Sequence, residues 1–182
     1  MEVMSAIRER RSIRKYKPDP VSESDISEVL EAALWAPSWA NTQCWEFVVV
    51  KNPEIKDKLA ATLPQGNPAR PSLTQAPVVI VACAHLGKAG YFKGNAGTDK
   101  GDWYMFDVAL AMQNLTLAAH AKGLGTVHIG FFDAKAAAQL LAIPEGMAVV
   151  EMTPLGYAAE GSKATSRKTV RECVSYERFG NR

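Results

Sequence analysis

Four arginines, Arg8, Arg10, Arg11 and Arg14, crowd the start of the chain around Ser12. Residues 1–18 hold six basic side chains, Lys15 and Lys17 included, against two acids, Glu2 and Glu9. A guanidinium presents a planar fork of donors that matches phosphate oxygens, and the Ser12 hydroxyl adds one more donor. The arrangement reads as a grip on one small dianion. By itself the cluster leaves two plainer readings open, a solvated helix end and a nucleic-acid-binding arm. The second is disfavoured because the whole chain carries only +2 and Tyr16 alone supplies an interleaved aromatic.

Three more stretches could carry chemistry. Between Ala36 and Phe47, Ser38, Asn41 and Gln43 offer hydroxyl and amide groups, Trp39 and Trp45 offer flat surface, and Pro37 fixes the backbone. Amides beside flat surface suit a heterocyclic ring with a hydrogen-bonding edge; a capped turn over two core tryptophans is the plainer alternative. In Gly123-Leu124-Gly125-Thr126-Val127-His128-Ile129-Gly130 the glycines allow close backbone approach. The spacing matches neither a dinucleotide fingerprint nor a Walker loop. Ser166-Arg167-Lys168 forms a second basic site in the tail, which alone reads as a solvated charge run. The histidines are His85, His120 and His128. His120, inside a long helical pattern, reads as structural, whereas His128 is a candidate contact. No Ser-His-Asp set or carboxylate pair is evident, so no protein nucleophile is expected. Cys44, Cys83 and Cys173 form no metal or CxxC pattern and read as reduced thiols of a cytoplasmic protein.

The elements that must position these residues follow from periodicity and capping. The length of 182 residues suits one domain over 1–182, and 47% apolar against 22% charged residues affords an ordinary core. No apolar run approaches the roughly 18 residues of a membrane span, and no signal peptide is evident. Ser22-Glu23-Ser24-Asp25 resembles a capping box for a helix carrying Ile26, Val29, Leu30 and Ala33 on one face, ended by Ala36-Pro37. Strands are expected at 45–50, 78–84, 126–130 and 147–155. Asn52-Pro53 opens a helix to residue 62, and Asp133 caps one to Leu141. Residues 64–77, with four prolines, should be irregular. Residues 85–101, with five glycines, should form a long loop, a candidate lid bearing Tyr91 and Phe92 or else a disordered surface loop. A helix over 102–122 is apolar nearly all round, which implies that a second subunit covers part of it.

These stretches, in this order, resemble the FMN-dependent nitroreductase family. Arg10-Arg11-Ser12-Ile13-Arg14 is similar to the family's N-terminal Arg-x-Ser-x-basic run. Pro37 to Trp45 is similar to its Pro-Ser-x-x-Asn-x-Gln-Pro-Trp turn. Gly123 to Thr126 matches its Gly-Leu-Gly-Thr segment, and Leu155-Gly156-Tyr157 with Arg167-Lys168 matches its end. Cys44 departs from the family's usual proline, which should loosen the turn. The resemblance implies an α+β fold, a mixed sheet flanked by helices, built as an intertwined homodimer with FMN at the interface. It implies that Arg10, Arg11, Ser12 and Arg167, with Lys168, hold the FMN phosphate and ribityl chain, and that Arg14 approaches the N1 edge of the flavin and tunes its potential. It further implies that Pro37, Ser38, Trp39, Asn41 and Gln43 approach the flavin from the partner subunit, and that His128, Ile129 and Gly130 line the other side of the ring. The implied activity is ping-pong hydride transfer from NADH or NADPH through FMN to nitroaromatic, quinone or similar small acceptors, with no metal, nucleic acid or membrane involved. Two alternatives stay open. One is a flavoprotein of the same fold with another reaction, such as reductive dehalogenation, ene reduction or flavin breakdown; the other is a non-enzymatic nucleic-acid-binding protein.

Overall fold

The computed structural model describes residues 1–182. Its sheet is built outward from strand β2 (Val78–His85), whose run of buried residues lets both faces be covered. Strand β1 (Trp45–Val50) pairs antiparallel with one edge of β2, and β6 (Met147–Tyr157) with the other. Strand β5 (Leu124–Gly125) pairs antiparallel with the end of β6, giving the order β1-β2-β6-β5. All of these ladders are antiparallel, and the parallel contribution is the bridge between Ser12 and Thr126.

Helices cover both faces. Helix α2 (Glu23–Leu34) starts at the Ser22 cap, whose hydroxyl oxygen accepts from the Asp25 N–H, and buries Ile26, Val29 and Ala33. It packs with α5 (Tyr104–Ala121) over Val78, Ile80, Ala82 and Ala84. Across the sheet, α3 (Pro53–Ala61), α4 (Arg70–Gln75) and α6 (Ala134–Leu140) cover Val79, Val81 and Cys83. Burying each large aliphatic side chain of such a strand stabilises the fold by about 1.5–3 kcal/mol. Lys122, just past the end of α5, pairs with Asp25 at 2.9 Å and Glu28 at 2.7 Å, tying that end of α5 to α2.

Four sequence expectations need correction. Residues 64–77 are not irregular throughout: α4 lies among their prolines, with Pro71 in its first turn where a missing N–H costs nothing. The strand expected at 126–130 is displaced. Ladder pairing occupies Leu124–Gly125, and beyond it Thr126 and Ile129 make single bridges to Ser12 and Met152. Helix α5 is capped by Trp103 rather than Asp102, although Asp102 Oδ1 accepts from the Tyr104 N–H at 3.1 Å. The loop 85–101 is folded back on itself as a hairpin of β3 (Tyr91–Phe92) and β4 (Asn95–Ala96). Trp103 Nε1 donates to Thr98 Oγ1 at 2.9 Å and anchors it. Short helices α1 (Val3–Glu9) and α7 (Val170–Cys173) complete the chain.

The N-terminal segment reaches the sheet through one close approach. Ile13 lies on Gly125, where an added Cβ would stand 2.8–2.9 Å from Ile13 side-chain atoms, its Cβ among them. Ile13 N–H donates to the Thr126 carbonyl at 2.9 Å, and the Tyr16 hydroxyl donates to the Ile13 carbonyl at 2.8 Å. Gly125→Ala therefore pushes the arginine segment off β5. We expect a loss of about 1–3 kcal/mol in unfolding free energy, measured by chemical denaturation; an unchanged midpoint would show that Ile13 can be displaced freely.

Candidate functional site

The N-terminal arginines separate into distinct environments. Arg8 and Arg14 are exposed. Arg11 turns back on its own segment, its Nη1 donating to the carbonyls of Arg8 at 2.6 Å and Arg10 at 2.9 Å, so much of its donor capacity closes the end of α1. Arg10 is half-buried, and its Nη1 is shielded from solvent without a hydrogen-bond partner in the protein. Burial, then the nearby positive charges of Arg11 and Arg167, push the Arg10 guanidinium below its ordinary value. An unpaired buried donor costs about 1–3 kcal/mol. Three cations near one cavity with an unpaired donor have the chemistry to hold an anion.

That cavity, 330 Å³ in volume, is lined by Arg10 and Arg11, by Gly123–Thr126 and by His120 from the last turn of α5. Ala158 and Ser162 close the side towards the tail. Arg167 and Lys168 are exposed on that tail, and Arg167 Nη1 donates to the carbonyl of Ser166 at 3.0 Å and to the Thr165 hydroxyl. Arg167 is close enough to act on Arg10, which brings together two basic stretches far apart in sequence. Ser12 is half-buried and held by its bridge to Thr126.

The second cluster is the turn at 37–43. A single 3-10 turn, Trp39–Asn41, is closed by the Gln43 N–H donating to Ser38 Oγ at 3.0 Å. Ala40, Asn41 and Gln43 adopt φ of 44°, 56° and 45°, a left-handed conformation costing about 1–3 kcal/mol per non-glycine residue. Asp107 of α5 holds this turn in place. Its carboxylate, 1% exposed, accepts the Trp39 N–H with both oxygens at 3.1 Å, and the Cys44 thiol donates to Oδ2 at 3.8 Å. Cys44 thus ties the turn to α5 rather than loosening it. Burial pushes the Asp107 carboxyl above the usual carboxylate range, outweighing the Trp39 and Cys44 bonds that hold it down. Burial, with Asp107 second, pushes the Cys44 thiol up to about 11. The Trp39 ring packs on Trp103 at 5.1 Å, and Trp103 meets Phe106 edge-on at 5.4 Å. These rings, with Pro37 and Leu110, line an apolar cavity of 430 Å³.

The remaining expected residues lie along the sheet edge. His128 is exposed and its Nδ1 stands 2.8 Å from Glu151 Oε1. The Ile129 side chain is buried in the core on the α3–α4–α6 side, its backbone bridging Met152, while Gly130 is exposed. Two residues beside these clusters are not singled out as site residues in the sequence. Asp107 is signalled there only as a carboxylate on the apolar stripe of α5, and His120, read as structural, stands three residues before Gly123. No group of three or more His, Cys, Asp or Glu residues is placed to hold a metal ion, and no helix is long and apolar enough to cross a membrane.

One protomer does not bring the two clusters together. Asp107 and His120 lie thirteen residues apart on α5, about 20 Å at 1.5 Å per residue. Along its length α5 exposes Met105 and Phe106, just before Asp107, and Ala109 and Gln113 beyond it.

The raised Asp107 value carries a prediction. The folded state holds this proton more tightly than the unfolded chain does. The group therefore costs stability as pH rises from the ordinary carboxylate range through its raised folded value. The Asp107→Asn variant keeps one acceptor, lacks that cost and should lose about 1 kcal/mol, one hydrogen bond. Its deficit against the parent should shrink as pH rises above the ordinary carboxylate range. Paired urea titrations measure this, and a deficit that widens with pH contradicts it.

Comparison with known proteins agrees with this geometry. The model of the nitroreductase family matches residues 7–157. A protein named putative NADH dehydrogenase/NAD(P)H nitroreductase from Methanothermobacter thermautotrophicus is 36% identical over 166 residues, 88% of this chain and 79% of that protein. The Bacillus subtilis FMN reductase [NAD(P)H] is 29% identical over 97% of this chain and 73% of its own length. The structure of an FMN-dependent nitroreductase from Clostridium difficile superposes with a TM-score of 0.80 at 28% identity, covering 97% of this chain and 99% of that one. This chain belongs to the nitroreductase family and is an oxidoreductase.

Proposed function

We propose that the protein is an FMN-dependent NAD(P)H oxidoreductase that reduces nitroaromatic, quinone or similar small acceptors. The observation carrying this reading is the unpaired, buried Arg10 Nη1 in a cavity shared with Arg11 and approached by Arg167. The donor set fits a phosphate monoester, and Gly123, with open space around it, leaves room for a ligand's chain beside β5. FMN, when bound, supplies a group that takes hydride from a nicotinamide and passes it to an acceptor, which agrees with the lack of a protein nucleophile.

The chain's own residues bind, orient and exclude water. Arg10, Arg11, Ser12, Arg167 and Lys168 form the anchoring end. His128, Ile129 and Gly130 offer main chain along the sheet edge. Pro37, Ser38, Trp39, Asn41 and Gln43 form a strained, pre-set polar turn beside flat aromatic surface. We infer that a second copy completes the site. The two clusters line separate cavities of one protomer, of 330 Å³ and 430 Å³. An antiparallel apposition of two α5 helices about a twofold axis would set the Asp107 end of one beside the His120 end of the other. It would also cover Met105 and Phe106, which stand 54% and 55% exposed.

Arg14, exposed and near Tyr16, stands apart from the anchoring end and is the cation proposed to favour the anionic reduced flavin. Purified protein should be yellow and should be bleached anaerobically by NADH or NADPH; a colourless protein that takes up no FMN would falsify the reading. Arg14→Met should leave FMN affinity intact and lower the midpoint potential by about 30 mV, equivalent to about 1.4 kcal/mol for a two-electron couple. An unaltered potential in spectroelectrochemical titration removes Arg14 from that role.

A further inference from the structure

Three side-chain polar atoms in this chain are buried without a hydrogen-bond partner: Arg10 Nη1, Thr42 Oγ1 and His120 Nε2. Arg10 and His120 line the same cavity. They come from separate elements, Arg10 from the end of α1 and His120 from the last turn of α5. Polar groups withdrawn from water are normally paired, so unpaired nitrogens on two residues that line one cavity mark a place built around a shared acceptor. The guanidinium can only donate, and a neutral imidazole offers one N–H. A ligand rich in acceptor oxygens satisfies both at once. The position is consistent on two further counts. The His120 carbonyl is already taken by the Gly123 N–H at 2.9 Å, leaving the ring as the group with unused capacity. The carbonyl end of a helix also favours an imidazole that donates or carries positive charge. The charged side chains lining the cavity besides these are Arg11 and Glu9, with Met1 also on its wall and Arg167 nearby; Glu9 is exposed.

We propose that His120 is a direct ligand of the flavin phosphate, its Nε2–H donating to a phosphate oxygen beside Arg10. The proposal rests on the FMN reading above and adds a binding residue from the central helix to the basic groups of the two termini. It also gives α5 a part at both of its ends: Asp107 sets the turn at one, and His120 grips the anion at the other.

The test compares FMN with riboflavin, which lacks the phosphate. Binding of each to the full-length protein is followed by quenching of flavin fluorescence. His120→Phe removes the donor and fills similar volume, and His120→Gln restores an N–H donor. In His120→Phe the FMN dissociation constant should rise about tenfold or more, as for loss of a hydrogen bond to a charged group, with riboflavin affinity within twofold of the parent. His120→Gln should recover most of the FMN affinity. Inorganic phosphate should raise the melting temperature of the parent and fail to do so in His120→Phe. If His120→Phe does not fold, His120→Leu carries the same expectations. Equal weakening of FMN and riboflavin, or no change in either, overturns the proposal. A parent protein that binds neither flavin overturns the FMN reading itself, an outcome separable from the first two.

Discussion

The structure depends on burying strand β2 on both faces. Alternate residues of Val78–Ala84 enter different cores: Val78, Ile80, Ala82 and Ala84 face α2 and α5, while Val79, Val81 and Cys83 face α3, α4 and α6. A strand with two apolar faces cannot sit at a sheet surface, so it forces one helical layer on each side. The neighbours then follow. Strands β1 and β6 satisfy the two edges of β2, and the end of β6 carries β5 beside it. The glycine segment at 123–125 is thereby fixed against the sheet, and with it the floor on which the arginine segment lies.

Helix α5 converts this layering into a site. It is too apolar for a helix with a single buried stripe, because one side serves the core and another remains bare. Its few polar residues matter for that reason. Asp107 accepts from the backbone of a turn holding three left-handed non-glycine residues, and so supplies part of the energy that keeps the turn in shape. Such a turn is informative because backbone strain persists only where the surroundings over-determine it. A carboxylate buried for the sake of one backbone N–H and one thiol makes the same point from the opposite direction, since its desolvation is itself unfavourable.

Legibility in the sequence followed the range of the interactions. Helices with local caps were readable: Ser22, Asn52 and Asp133 each cap the helix expected of them, because capping involves residues two or three positions apart. β1 and β2 were readable from β-branched runs. The strand at 126–130 was misplaced because its pairing is decided by β6 and by Ser12, partners that lie elsewhere in the sequence. Helix α4 was missed because proline density was read as irregularity, although its Pro71 sits where a helix tolerates it. In the site, the residue types of the Arg10–Arg14 run, the 37–43 turn and the tail were legible, and the resemblance to a family ordered them. Asp107 and His120 were not, because a carboxylate and an imidazole inside an apolar helix become meaningful only when the turn and the cavity they face are known.

The arginine cluster shows how packing distributes roles within one charged run. Ile13 and Tyr16 bury their side chains, locked by the Tyr16 hydroxyl on the Ile13 carbonyl. With those two positions fixed inward, Arg14 must face solvent, Arg11 folds back to satisfy carbonyls at the end of α1, and Arg10 is pressed into the cavity with a donor unspent. A chain of net charge +2 exerts little long-range pull on an anion. Under the proposed phosphate reading, selectivity then comes from desolvation at short range, where a buried guanidinium gains far more from an anionic oxygen than an exposed one does. The count of arginines is therefore a poor guide to binding strength here. One guanidinium, shielded from solvent and without a protein partner, stands beside the cavity with donor capacity unspent, and the apolar anchors on its own segment put it there.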